Sequence, residues 1–159
     1  MDRYLLLLRH AEAATPPAGK KDFDRELTDA GFTAALRLGR KFYQNSYQPD
    51  LFYSSTAIRA ATTSQLVAEQ IYFEREQINM QLQLYNVPLG SFMDFVQHIP
   101  DEYSNVLLVG HNPVLSYFTE MVTNQTGFML PTGGYVKLKF EMDSWMMAVS
   151  ETAVLVEQG

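Results

Sequence analysis

The chain has 159 residues, 47% hydrophobic and 19% charged, the composition of an ordinary globular domain rather than a disordered or fibrous one. Cysteine is absent, which excludes disulfide frameworks, cysteine-ligated zinc and every cysteine-nucleophile mechanism. Acidic side chains outnumber basic ones 18 to 12, a formal charge of −6 with no run of Lys or Arg, so nucleic acid is not an expected partner.

Leu5 to Leu8 precede Arg9 as a continuous apolar run, too short for a membrane span or signal core and best read as part of a strand, Tyr4 to Leu8, buried on both faces. A cytoplasmic protein that does not enter a membrane is expected, folded as one domain over residues 1–159. After a loop rich in Pro, Gly and Lys, Thr28 is placed to cap a helix whose Phe32, Ala35, Leu36, Gly39, Phe42 and Tyr43 share a face. Pro49 ends that unit and Leu51 to Tyr53 form a second strand. Ser54, Ser55 or Thr56 caps the next helix, which runs to about Gln70 with Ile58, Ala61, Leu66 and Ala68 as its apolar stripe. A weaker strand follows over Ile78 to Leu84, then a short helix from Ser91 to His98.

Asn105 to Val109 is another buried strand, and Pro113 opens a helix that buries Val114, Leu115, Phe118, Met121 and Val122. Tyr135 to Phe140 alternates Val136, Leu138 and Phe140 with Lys137 and Lys139, the pattern of a half-exposed strand. Asp143-Ser144 is expected to turn it back into Trp145 to Val149. The whole reads as a three-layer α/β/α domain with a mostly parallel central sheet and an antiparallel C-terminal edge.

Open α/β sheets bind ligands beyond the carboxyl ends of their strands. The first strand delivers Arg9-His10 there, the second Ser54-Ser55 with Arg59 one helical turn on, and the Asn105 to Val109 strand Gly110-His111-Asn112-Pro113. Taken singly, each is an ordinary loop residue. Together they point to an anion site: guanidinium groups match phosphoryl oxygens with paired hydrogen bonds, and helix N-termini add unpaired N–H groups. Nearby positive charge would lower a histidine's pKa and keep a lone pair free for attack on phosphorus.

Arg9-His10-Ala11-Glu12-Ala13, Leu27-Thr28 with Gly31, Ser54-Ser55 with Arg59-Ala60 and Thr63, Leu84-Tyr85, and Gly110-His111-Asn112-Pro113 resemble the histidine phosphatase superfamily, also called phosphoglycerate mutase-like. The Arg-His-Ala-x-Ala form and the short chain are most similar to the phosphohistidine phosphatase SixA branch. The resemblance implies a hydrolase without metal or other cofactor, with His10 as nucleophile and Arg9, Arg59 and His111 around the phosphate. It also places Arg25 and Thr132 as substrate-binding candidates, against the plainer readings of a solvated loop arginine and a turn. His98 has no counterpart in the pattern and reads as a surface residue.

Many members of that superfamily carry a mid-chain Asp or Glu that protonates a leaving alkoxide, and no Asp or Glu occurs from Gln77 through Met93. An imidazole accepts a proton near neutral pH and leaves more easily than an alkoxide, so the gap favours phosphohistidine on a signalling protein, such as a histidine-containing phosphotransfer domain. Glu12, Asp22, Asp24 or Asp94 folding into the site would restore an acid and a small-molecule phosphomonoesterase. The remaining alternative is a non-catalytic module that binds a phosphorylated ligand.

Overall fold

Residues 1–159 are described by a computed structural model in which six strands lie between two pairs of helices. The strands are β1 (Asp2–Arg9), β2 (Leu51–Ser55), β3 (Asn79–Gln81), β4 (Asn105–Gly110), β5 (Tyr135–Glu141) and β6 (Ala153–Gln158), in the order β3-β2-β4-β1-β5-β6. The ladders β2–β3, β2–β4 and β1–β4 are parallel, whereas β1–β5 and β5–β6 are antiparallel. The expected mostly parallel sheet with an antiparallel C-terminal edge is therefore present.

The helices are α1 (Asp29–Gln44), α2 (Ile58–Gln70), α3 (Leu89–Gln97) and α4 (Val114–Thr123). Successive side chains of a strand point to opposite faces, and here both faces are dry. Leu5, Leu7, Val106 and Leu108 pack with Phe92 and Val96 of α3 and Leu115 and Phe118 of α4. Leu6, Leu8, Leu107 and Val109 pack with Phe42 of α1 and Val67 and Ala68 of α2. Each fully buried leucine contributes about 1.5–3 kcal/mol relative to exposure, so β1 and β4 anchor the frame from which the functional loops emerge. No helix is long and apolar enough to cross a membrane.

Thr28 caps α1 as expected, its Oγ1 accepting the Gly31 N–H at 3.0 Å. The buried stripe of α1 is narrower than the periodicity suggests: Ala35, Gly39 and Phe42 are buried, but Phe32 and Tyr43 are 46% and 56% exposed. Gly39 explains this, because it lies directly against Val67 and Gln70 of α2 and brings the two helices close along a small-residue seam. In α2 the N-cap is Ala57 rather than Ser54, Ser55 or Thr56, although Ser55 Oγ accepts the Ala57 N–H at 3.3 Å. Its buried face includes Arg59, Thr63 and Ser64, displaced by about one residue from the apolar stripe of Ile58 and Ala61. Polar partners rather than apolar spacing orient that face.

Two strand expectations are corrected. Ile78 to Leu84 is extended only over Asn79–Gln81, because β2 ends at Ser55 opposite Gln81 and offers no further ladder; Leu82–Leu84 then coil into a 3-10 turn. The segment Trp145 to Val149 is not the returning strand. Trp145–Met147 form a 3-10 turn capped by Ser144, and the strand that pairs with β5 is Ala153–Gln158. Buried Arg3 is the cause. It donates to the carbonyls of Met142 (3.2 Å), Asp101 and Tyr103 (both 3.0 Å) and Asp143, and its guanidinium carbon lies 5.6 Å from the centre of the Trp145 ring. Trp145 Nε1 in turn donates to Tyr103 O at 2.8 Å, which sinks the indole into the core and removes the segment from the sheet edge.

Candidate active site

β1, β2 and β4 end side by side, with Arg9 in register with Gly110 and Ser54 with Val109. The residues that follow them therefore meet over one edge of the sheet. His10 and His111 are both buried, with ring centres 5.2 Å apart. His10 Nδ1 lies 2.8 Å from Ala11 O, and a carbonyl only accepts, so Nδ1 carries the proton and Nε2 presents its lone pair. His111 has the opposite tautomer. Its Nδ1 faces an Nη2–H of Arg59 at 3.4 Å, and its Nε2–H donates to Ser55 Oγ at 2.8 Å.

Arg59, 6% exposed, is the hub. Its Nε–H donates to His10 Nε2 at 3.2 Å, its Nη1–H to Asp22 O at 2.8 Å and its Nη2–H to Asp22 Oδ2 at 3.1 Å. One turn on, Thr63 Oγ1 donates to Arg59 O at 2.8 Å and accepts the Ala11 N–H at 3.1 Å, so α2 is tied to the backbone beside His10. Arg9 turns Nη1–H toward Leu130 O at 3.0 Å while its Nε is buried without a hydrogen-bond partner, and Gly133 N–H closes on the carbonyls of Arg9 and His10. Gly133 has φ +70°, a left-handed conformation that glycine adopts without strain, and this bends the loop back over the end of β1.

The cleft measures about 560 Å³ and is bordered by Arg9, His10, Arg25, Arg59, His111 and Thr132. All six residues singled out in the sequence are thus gathered in one place. His98 is exposed and pairs with Asp94, away from the cleft. Arg25 is spread over three acceptors: Ala14 O at 2.9 Å, Ala13 O at 3.2 Å and Asp22 Oδ1 at 3.3 Å. Thr132 is exposed at the rim.

The fold also brings in a carboxylate. Asp22 sits against Arg59, and Tyr85 O–H donates to its Oδ2 at 2.8 Å. Of the other carboxylates considered, Glu12 also borders the cleft and accepts from the Thr28 hydroxyl at 2.7 Å, whereas Asp24 accepts from Lys21 N at 3.3 Å and Asp94 faces His98, both outside it. Leu84-Tyr85 was legible as a motif, but its bond to Asp22 spans 63 residues and no local pattern announces it.

Burial is the first cause of depressed basicity in both rings. His10 is lowered from 6.5 to about 4 by desolvation, then by the charges of Arg59, Arg9 and Arg25, against a partial opposing effect of the Ala11 carbonyl. His111 falls to about 3 through burial, then through His10 and Arg59. The sequence argument anticipated the direction from charge alone; the dry edge of the sheet contributes more. Asp22 is held below the ordinary carboxylate value, first by the Tyr85 hydrogen bond and also by Arg59 and Arg25.

A doubly covered α/β sheet that presents a neutral imidazole lone pair beside guanidinium donors at its carboxyl edge defines a histidine-based phosphoryl-handling class. The chain belongs to the histidine phosphatase superfamily (branch 1), whose family model matches residues 5–87. Among solved structures, a SixA protein from Agrobacterium tumefaciens is 28% identical with a TM-score of 0.79, covering 98% of this chain and 96% of that one. The protein histidine phosphatase SixA in complex with tungstate shares the fold at a TM-score of 0.83 and 18% identity, covering 98% and 95% of the two chains. The serine/threonine-protein phosphatase Pgam5, mitochondrial, of Drosophila yakuba is 28% identical over 144 residues, 73% of this chain and 49% of Pgam5. The chain thus spans about half the length of that relative.

Proposed function

We propose that the chain is a metal-independent phosphatase that dephosphorylates phosphohistidine on a signalling protein through a phosphohistidine intermediate on His10. The observation that carries this reading is the tautomer of His10: Nδ1–H is committed to Ala11 O, so Nε2 faces the guanidinium of Arg59 as an unprotonated nucleophile. Nε2 attacks phosphorus, the P–N bond of the donor breaks, and the departing imidazole takes a proton from solvent. Water then attacks the phosphorus on His10, releasing phosphate and the free ring. Arg9, Arg59 and His111 bind the equatorial oxygens as charge shifts in the transition state. Arg25 and Thr132 border the same cleft and serve as outer substrate contacts.

The leaving group favours nitrogen over an alkyl oxygen. Two carboxylates border the cleft: Asp22 is held ionised by Tyr85 and two arginines, so it has no proton to give an alkoxide at neutral pH, and Glu12 is engaged by the Thr28 hydroxyl at 2.7 Å. Similarity to SixA proteins points the same way. The test is incubation with a phosphorylated histidine-containing phosphotransfer domain and, separately, with glycerol 2-phosphate, an ester whose alkoxide leaving group needs a proton. We expect kcat/KM for the phosphoprotein to exceed that for the ester by at least about 10², the usual worth of general acid catalysis. Slow phosphoprotein turnover beside fast ester hydrolysis would reverse the substrate assignment.

The pH dependence follows from His10. The attacking form is the neutral ring, and it is lost only as pH falls through about 4. The acid limb of kcat/KM assigned to the nucleophile is therefore expected near pH 4, with no loss near 6.5, where an exposed imidazole titrates. A pH–rate profile paired with imidazole NMR titration checks this, and a His10 midpoint near 6.5 would contradict it.

A further inference from the structure

Four of the five N–H groups of Arg59 already have partners, and two of the four bonds go to Asp22, one to its carbonyl and one to its carboxylate. The carboxylate is a planar, ionised oxyanion with two oxygens, the same chemistry that a phosphoryl group presents to a guanidinium. It is anchored from three sides, by Arg59 at 3.1 Å, by Arg25 at 3.3 Å and by Tyr85 O–H at 2.8 Å. Tyr85 is itself fixed edge-on between Phe23, at 5.1 Å, and His111, at 5.5 Å between ring centres. Asp22 nevertheless lies on a short 3-10 turn, Asp22–Asp24, with its side chain 54% exposed, so it is able to leave.

We propose that Asp22 competes internally with the phosphoryl group for Arg59 and so sets the affinity of the cleft for oxyanions. This rests on the reading that Arg59 binds phosphate. Displacing the carboxylate costs the same whatever else the substrate carries. A free oxyanion or a small phosphate ester offsets that cost with its phosphoryl oxygens alone. A protein substrate adds contacts around the mouth, where Met129, 70% exposed, lies beside Asn112 of the cleft wall. Asp22 therefore lowers the affinity for every phosphorylated ligand by the same factor, so that a ligand held by its phosphoryl oxygens alone, such as inorganic phosphate, no longer fills the cleft while a substrate with further contacts still does.

The experiment is calorimetric titration of the full chain and its Asp22→Asn variant with sodium tungstate, together with steady-state kinetics on p-nitrophenyl phosphate. Asn keeps the shape and the backbone carbonyl contact but removes the charge. Tungstate affinity is expected to rise about fivefold, the upper range for a partly exposed ion pair, and KM for the ester to fall by a similar factor with kcat within about twofold. Tyr85→Phe, which loosens the same carboxylate from the other side, is expected to shift tungstate affinity in the same direction by less. Unchanged or weaker tungstate binding in Asp22→Asn overturns the proposal, as does a 10²-fold loss of kcat, which would mark Asp22 as a residue that the chemical step itself requires. Arg59→Ala in the same titration reads the underlying assignment separately: if it leaves tungstate affinity intact, the phosphate-binding reading of Arg59 fails, whatever Asp22 does.

Discussion

Replacing His10 by Ala is expected to lower turnover of a phosphorylated substrate by at least about 10⁴-fold while leaving tungstate or phosphate binding measurable. The loss is large because His10 Nε2 is the unprotonated nitrogen that receives the phosphoryl group in the proposed mechanism. Binding survives because the oxyanion donors come from other elements, Arg59 from α2 and Arg9 from the end of β1. Acid-labile radiolabel transferred to the wild-type chain, and absent from His10→Ala, identifies the intermediate. Residual turnover within tenfold of wild type would show that the nucleophile lies elsewhere and would end the mechanism proposed above.

Arg59→Ala is expected to lower kcat/KM by about 10³-fold, the range measured for losing an oxyanion donor or a transition-state guanidinium. Arg59→Lys is expected to recover no more than about tenfold of that loss. An ammonium is a point charge with no fork, so it cannot reach His10 Nε2, His111 Nδ1 and Asp22 together as the guanidinium does. A second readout separates this from a general structural fault. Removing the Arg59 charge raises the titration midpoints of His10 and His111, but because burial is the first cause in both, they stay below 6.5. NMR titration of the two rings checks the direction. Unchanged midpoints, or a Lys variant with full activity, would remove Arg59 from the centre of the site.

The sequence and the structure agree where the signal is local. Leu5 to Leu8 and Val106 to Val109 read as doubly buried strands because an unbroken apolar run of strand length fits only a sheet covered on both faces, and both runs are inaccessible to water. Thr28 read as a cap because a hydroxyl ahead of a helical period satisfies a free N–H. They part where a distant partner outweighs the local pattern. Trp145 to Val149 has strand-like composition, yet Arg3, some 140 residues earlier in the chain, draws the carbonyl of Asp143 inward. The polar face of α2 is buried because Thr63 bonds the backbone beside His10, and hydrophobic periodicity carries no information about such a bond.

For the site, the chain by itself determined which residues arrive at the carboxyl edge, because a residue directly after a parallel strand has nowhere else to go: Arg9 and His10 after β1, His111 after β4, Arg59 one turn into the helix after β2. Only the tertiary structure decided how those groups are charged and what they touch. The tautomers of His10 and His111, the larger part played by burial in lowering their basicity, and the entry of Asp22 under the Tyr85 hydroxyl all depend on distances between segments tens of residues apart. Proton affinity and ion pairing are set by the local dielectric and by separations of a few ångströms, and these exist only once the sheet has brought the loops together.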